Sequence, residues 1–139
     1  MYRKILVPVD LGHIDEMSKA LDTAIDIARH YDATLYYVAV TNTTPSSVSH
    51  NPSELADKLQ AFADEQGKRH GVDTDIEVIA ATDTAVELTD RLVKTIHETN
   101  VDLVVMASHK PGIGDKLHYL HSNAANIVKH SDVSVFVVR

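Results

Sequence analysis

Apolar residues recur along the chain with two alternating periods, and that alternation predicts the fold. Residues 5–9, 34–40, 76–80, 101–106 and 133–138 are short runs rich in β-branched or aromatic side chains. Several are apolar almost without a break, as expected for strands covered on both faces. Between the runs, apolar residues return every three or four positions: Met17, Leu21, Ala24 and Ala28; Leu55, Leu59 and Phe62; Leu88, Leu92 and Ile96. Each set falls on one stripe of a helix. The boundaries carry matching chemistry. Asn51-Pro52-Ser53-Glu54 offers an N-cap, a proline at the first helical position and a glutamate at the third, and Thr84 with Glu87 forms a second capping box. Gly71 and Asn100 stand where a left-handed residue closes a helix. Strict alternation of five strands and four helices implies an α/β domain with a parallel sheet, right-handed crossovers and helices on both faces. Residues 41–52, rich in Thr, Ser, Asn and Pro, are expected to form a mobile loop after the second strand. No repeat or change of composition divides the chain, so residues 1–139 are read as one domain.

Composition narrows the classes of function. The 139 residues are 44% hydrophobic and 24% charged, ordinary for a globular domain. A net charge of −7 argues against general nucleic-acid binding, which needs a basic face to release counterions. With no cysteine there is no disulfide, thiol nucleophile or thiolate metal site. No apolar run reaches the roughly 18 residues of a membrane span. The chain enters strand-like sequence from its first residues without a signal-peptide pattern, so a cytoplasmic location is expected.

Candidate chemistry gathers at one edge. In open parallel sheets, ligands bind beyond the carboxyl ends of the strands, where strand order reverses. That rule brings together Asp10, the segment from Val40 to Asn42, and Ala107 with the loop leading on to Ser122. The Asp10 carboxylate can accept hydrogen bonds from a ribose or base, or hold Mg²⁺ through water. It can equally cap the turn after the first strand. The stretch after Met106 leaves a buried strand and ends at a helix. Gly112 and Gly114 would let backbone amides approach a ligand, and Lys110 and Lys116 add positive charge. Ser122 is a good N-cap, and the amides of Asn123 and Ala124 would be free donors at the positive end of the last helix, a place suited to phosphate. An ordinary loop leading to a capped helix accounts for the same residues.

The opening Ile5-Leu6-Val7-Pro8-Val9-Asp10, the block Ala107-Ser108-His109-Lys110, the block Ser122-Asn123-Ala124-Ala125 and the closing stretch from Val133 to Arg139 resemble the universal stress protein family. The resemblance spans essentially the whole chain, and Ala-Ser-His-Lys-Pro with Ser-Asn-Ala-Ala looks like a variant branch. It implies a five-stranded Rossmann-like (adenine nucleotide alpha hydrolase-like) domain of strand order 3-2-1-4-5. It also implies a homodimer, formed by antiparallel pairing of the last strand, Val133 to Val138, with its copy. The implied ligand is ATP or a related adenine nucleotide, with or without Mg²⁺. Asp10 and the backbone near Val40 would hold the adenosine, and Ala107, His109, Lys110, Gly112, Ser122 and Asn123 would surround the phosphates. Pro8, Val9, Met106, His121 and Ala124 complete the expected site.

The ATP-binding branch of that family carries Gly-x2-Gly-x9-Gly-Ser/Thr. Here Ala107, Lys110 and His121 occupy the glycine places, only Ser122 matches, and the second spacer is one residue longer. These changes support a rival reading, a dimeric regulatory module that no longer binds nucleotide. His109, His118 and His121 are expected to face solvent or an anion rather than a metal ion, because no carboxylate or cysteine accompanies them at ligand spacing. Catalysis has little support. There is no nucleophile elbow and no P-loop, so slow ATP hydrolysis is the most that is expected. A phospho-receiver reading fails because the first strand supplies only Asp10 and Asp83 falls in a helix cap.

Overall fold

The computed structural model describes residues 1–42, 52–81, 85–108 and 123–139. The elements are β1 (Lys4–Pro8), a 3-10 segment (Leu11–Met17), α1 (Ser18–Tyr31), β2 (Thr34–Asn42), α2 (Pro52–His70), β3 (Thr74–Ala81), α3 (Ala85–Thr99), β4 (Leu103–Ala107), α4 (Asn123–His130) and β5 (Ser134–Val138). The five strands form one sheet of order β3-β2-β1-β4-β5, with every neighbouring pair parallel. The fold is therefore the expected doubly wound α/β domain.

The central strands explain their unbroken apolar sequence by being buried from both sides. Ile5, Val7, Leu35, Tyr37 and Val105 face a core closed by α1 and α2, through residues such as Leu21, Ala24, Ile25, Leu59 and Ala63. Leu6, Tyr36, Val38, Val104 and Met106 face the opposite core, closed by Leu88, Leu92 and Ile96 of α3 and Ile127 of α4. Successive side chains of a strand point to opposite faces, so a strand covered twice has no polar half.

Helix ends follow the expected chemistry and add one case. Gly71 (φ +67°) and Asn100 (φ +57°) close α2 and α3 in the left-handed region. Asp32 (φ +56°) does the same for α1, and Ala33 N donates to Ala28 O beyond it at 2.9 Å. At Gly67 a side chain would press on the Val72 carbonyl at 3.0 Å, so glycine there lets α2 turn tightly into β3.

Several boundaries differ from expectation by one or two residues, and two of them have a visible cause. Thr41 and Asn42 belong to β2 rather than to the following loop, because the β2–β3 ladder continues through Asn42 opposite Ala81. β4 begins at Leu103, not Val101, because Asp102 is used at the strand's start. Its carboxylate accepts from Arg3 N (2.9 Å) and Lys4 N (3.1 Å), while its own amide donates to Lys4 O. The caps expected of Asn51, Thr84 and Ser122 lie outside the described residues. Among the described residues, no helix is long and apolar enough to cross a membrane.

Candidate functional site

The chain goes from β1 outward to β2 and β3, then returns to place β4 on the other side of β1. Strand order therefore reverses between β1 and β4, and a crevice is expected at their carboxyl ends. The sequence opens it with a proline. Asp102 N donates to Lys4 O on the β4 side of β1, whereas Val9 N donates to Val38 O on the β2 side. Because backbone groups alternate along a strand, the amides of Lys4, Leu6 and position 8 face β4. Position 8 is Pro8, which has no amide to give. The β1–β4 register accordingly stops at Leu6 opposite Val104, although both strands continue.

Asp10 lies just beyond the carboxyl end of β1 and is held by its own turn. Its Oδ1 accepts from Gly12 N at 3.0 Å, and its Oδ2 lies 3.0 Å from His13 Nδ1. Asp10 O accepts from His13 N at 3.0 Å, and Asp10 N contacts Met17 Sδ at 3.4 Å. Asp10 thus caps the 3-10 segment, one of its two expected roles, while its side chain stays partly exposed. His13 was not among the residues expected at this edge. Its spacing of three from an aspartate, across a glycine, is the signal that could have singled it out.

The other expected residues divide by what they can present. Pro8, Val9 and Met106 have buried side chains, so only their backbones can serve a ligand. Val40 is partly buried against the α3–α4 core, and Ala107 against the other. Ala107 pairs with Val138, and Ser108 N donates to Val138 O at 2.6 Å, so the chain leaves β4 still tied to β5. In a parallel strand–helix–strand unit the helix starts at the carboxyl edge, which puts Asn123 and Ala124, the first residues of α4, on that side. His109, Lys110, Gly112, His121 and Ser122 lie outside the described residues, as does His118. Among the described residues no group of three or more His, Asp or Glu is arranged for a metal ion.

Thr41, which the sequence placed in the loop, is the last but one residue of β2, toward the same edge. It is 2% exposed, and its hydroxyl has no hydrogen-bond partner among the described residues. Nothing in the residue pattern announced that.

Comparison with known proteins bears on this geometry. The family model described as "Universal stress protein family" matches residues 1–139. Universal stress protein G of Salmonella typhimurium (strain LT2) is 27% identical over 150 residues, with both chains covered completely. Among solved structures, a universal stress protein in complex with cAMP matches with a TM-score of 0.67 and 21% identity, covering 99% of this chain and 97% of its own. The universal stress protein from Archaeoglobus fulgidus in complex with dAMP matches with a TM-score of 0.66 and 17% identity, covering 99% and 98%. The fold, the strand order and the whole-chain match agree with the resemblance carried by the sequence blocks: the chain belongs to the universal stress protein family.

Proposed function

We propose that this protein is a stress-associated regulator that binds an adenine nucleotide, with ATP the expected ligand, in the crevice between the carboxyl ends of β1 and β4. One observation carries this reading. The ladder between the two strands stops at Leu6 opposite Val104, beneath a fixed, partly exposed carboxylate on Asp10. A gap between two strand ends admits a planar base, and a carboxylate accepts hydrogen bonds from ribose hydroxyls. The cAMP and dAMP complexes of similarly folded proteins support an adenine nucleotide as the class of ligand. Val40 would border the base. The phosphates would run from Ala107 through His109, Lys110 and Gly112 toward His121, Ser122 and the first amides of α4 at Asn123 and Ala124, with or without Mg²⁺.

The same reading includes a homodimer through β5. Ser134–Val138 carries no charge and lies at the end of the sheet, with Phe136 46% and Val137 44% exposed. An apolar edge without charged guards is suited to pairing with a copy of itself.

Isothermal titration of nucleotide-free protein with ATP, with and without Mg²⁺, tests the proposal. Saturable heat and a rise in melting temperature are expected. No heat and no shift at millimolar ATP, in a protein that still sediments as a dimer, would leave the regulatory module without nucleotide as the correct reading.

A further inference from the structure

We propose that His13 is a positioning residue for the sugar of the bound nucleotide: it holds Asp10 so that the corner at the end of β1 presents hydrogen-bond acceptors and no donors. The inference deepens the nucleotide-binding reading and rests on it. The imidazole Nδ1 lies 3.0 Å from Asp10 Oδ2, and the opposite oxygen is fixed by Gly12 N at the same distance. A bend in the chain makes this contact. His13 departs from helical geometry (φ −138°, ψ 36°) inside the 3-10 segment, which returns its side chain to the residue three positions back. The two side chains are 37% and 25% exposed, so both remain within a ligand's reach.

An ionised carboxylate can only accept, so the proton of this contact sits on Nδ1, and a neutral imidazole then presents a lone pair on Nε2. The corner therefore offers the remaining lone pairs of Asp10, and the Nε2 of His13 adds no donor beside them. Adjacent hydroxyls, as on a ribose, are donors that satisfy such a surface. A phosphate would meet like charge there and is turned away. The ligand is thereby oriented, sugar toward β1 and phosphates toward β4 and α4.

The test measures ATP and 2′,3′-dideoxy-ATP affinities by calorimetry for the full chain and for His13→Asn, His13→Gln and His13→Ala, each first checked for an unchanged melting temperature. Asparagine places an amide donor near the position of Nδ1; glutamine places it near Nε2. His13→Asn is expected to bind ATP within about twofold of the parent. His13→Ala and His13→Gln are expected to weaken ATP about tenfold and to leave dideoxy-ATP unchanged. Nitrogen-edited NMR of the parent at slightly alkaline pH should show a protonated Nδ1 and a bare Nε2. Equal losses for both nucleotides, or a bare Nδ1, would overturn the role of His13 while ATP binding by the parent stands. A parent that binds no ATP overturns the reading beneath it as well.

Discussion

Tyr36 and Tyr37 are neighbours in sequence with opposite fates. Tyr36 donates to Glu77 Oε2 at 2.8 Å, whereas the buried Tyr37 hydroxyl has no partner among the described residues and its ring packs edge-on against Phe62 at 5.1 Å. Leaving a buried hydroxyl unpaired costs about 1–3 kcal/mol, so Tyr37→Phe should raise stability by about 1 kcal/mol in urea denaturation. Tyr36→Phe, which strips a partner from Glu77, should lower it by a similar amount. Burial pushes both hydroxyls well above the usual tyrosine range, and at Tyr36 the bond to Glu77 pushes further. The unfolded chain releases these protons from about pH 10, while the folded chain keeps them. Stability from this source is therefore complete below about pH 10 and falls as pH rises beyond it. The advantage of Tyr37→Phe should widen between about pH 10 and about pH 12. A sequence shows that a tyrosine is apolar enough to bury, not whether its oxygen finds a partner. The same limit hid the Asp10–His13 contact and the Thr41 hydroxyl, which has no partner among the described residues.

At the scale of elements, strands and helices were legible because each carries its own period, and their ends were less so because partners decide them. β2 runs to Asn42 since β3 is there to pair with it, and no local feature of Thr41-Asn42 reports that. Pro8 is the exception, a single residue whose effect on a ladder follows from its covalent structure. Pro8→Val restores an amide facing β4 and adds a ladder bond of about 1 kcal/mol. It also frees the unfolded chain by about 0.4–1 kcal/mol, so net stability should hardly change. The informative readouts lie elsewhere. The new amide at position 8 should become protected from hydrogen exchange, and ATP affinity should fall as the crevice narrows. An unprotected amide would mean that something other than Pro8 keeps the strands apart.

At the scale of the molecule, the two sheet edges are unlike. β3 places Asp75 and Glu77 along its strand, a guard against further pairing, while β5 has none. Val137→Lys should convert a dimer into particles of the 15.3 kDa chain mass in analytical ultracentrifugation, with little change in the sheet by circular dichroism. A dimer that survives the lysine would move the interface away from β5. Topology was legible from alternation and resemblance together; the proposed phosphate side of the site rests on sequence alone, since residues 109–122 lie outside the described structure. The Asp102 clamp on the start of β1 has a further consequence, for the order of folding. Its carboxylate and Lys4 are 98 positions apart, so the middle strand of the sheet must wait for a distant partner. β3-β2-β1 can assemble from the first 81 residues, leaving one flank of β1 bare until β4 arrives. Closure of that long loop should set the refolding rate, and Asp102→Ala should slow refolding more than it speeds unfolding. A nascent chain that has just passed β3 would carry its most apolar strand with one side open, which is when it is most exposed to wrong partners.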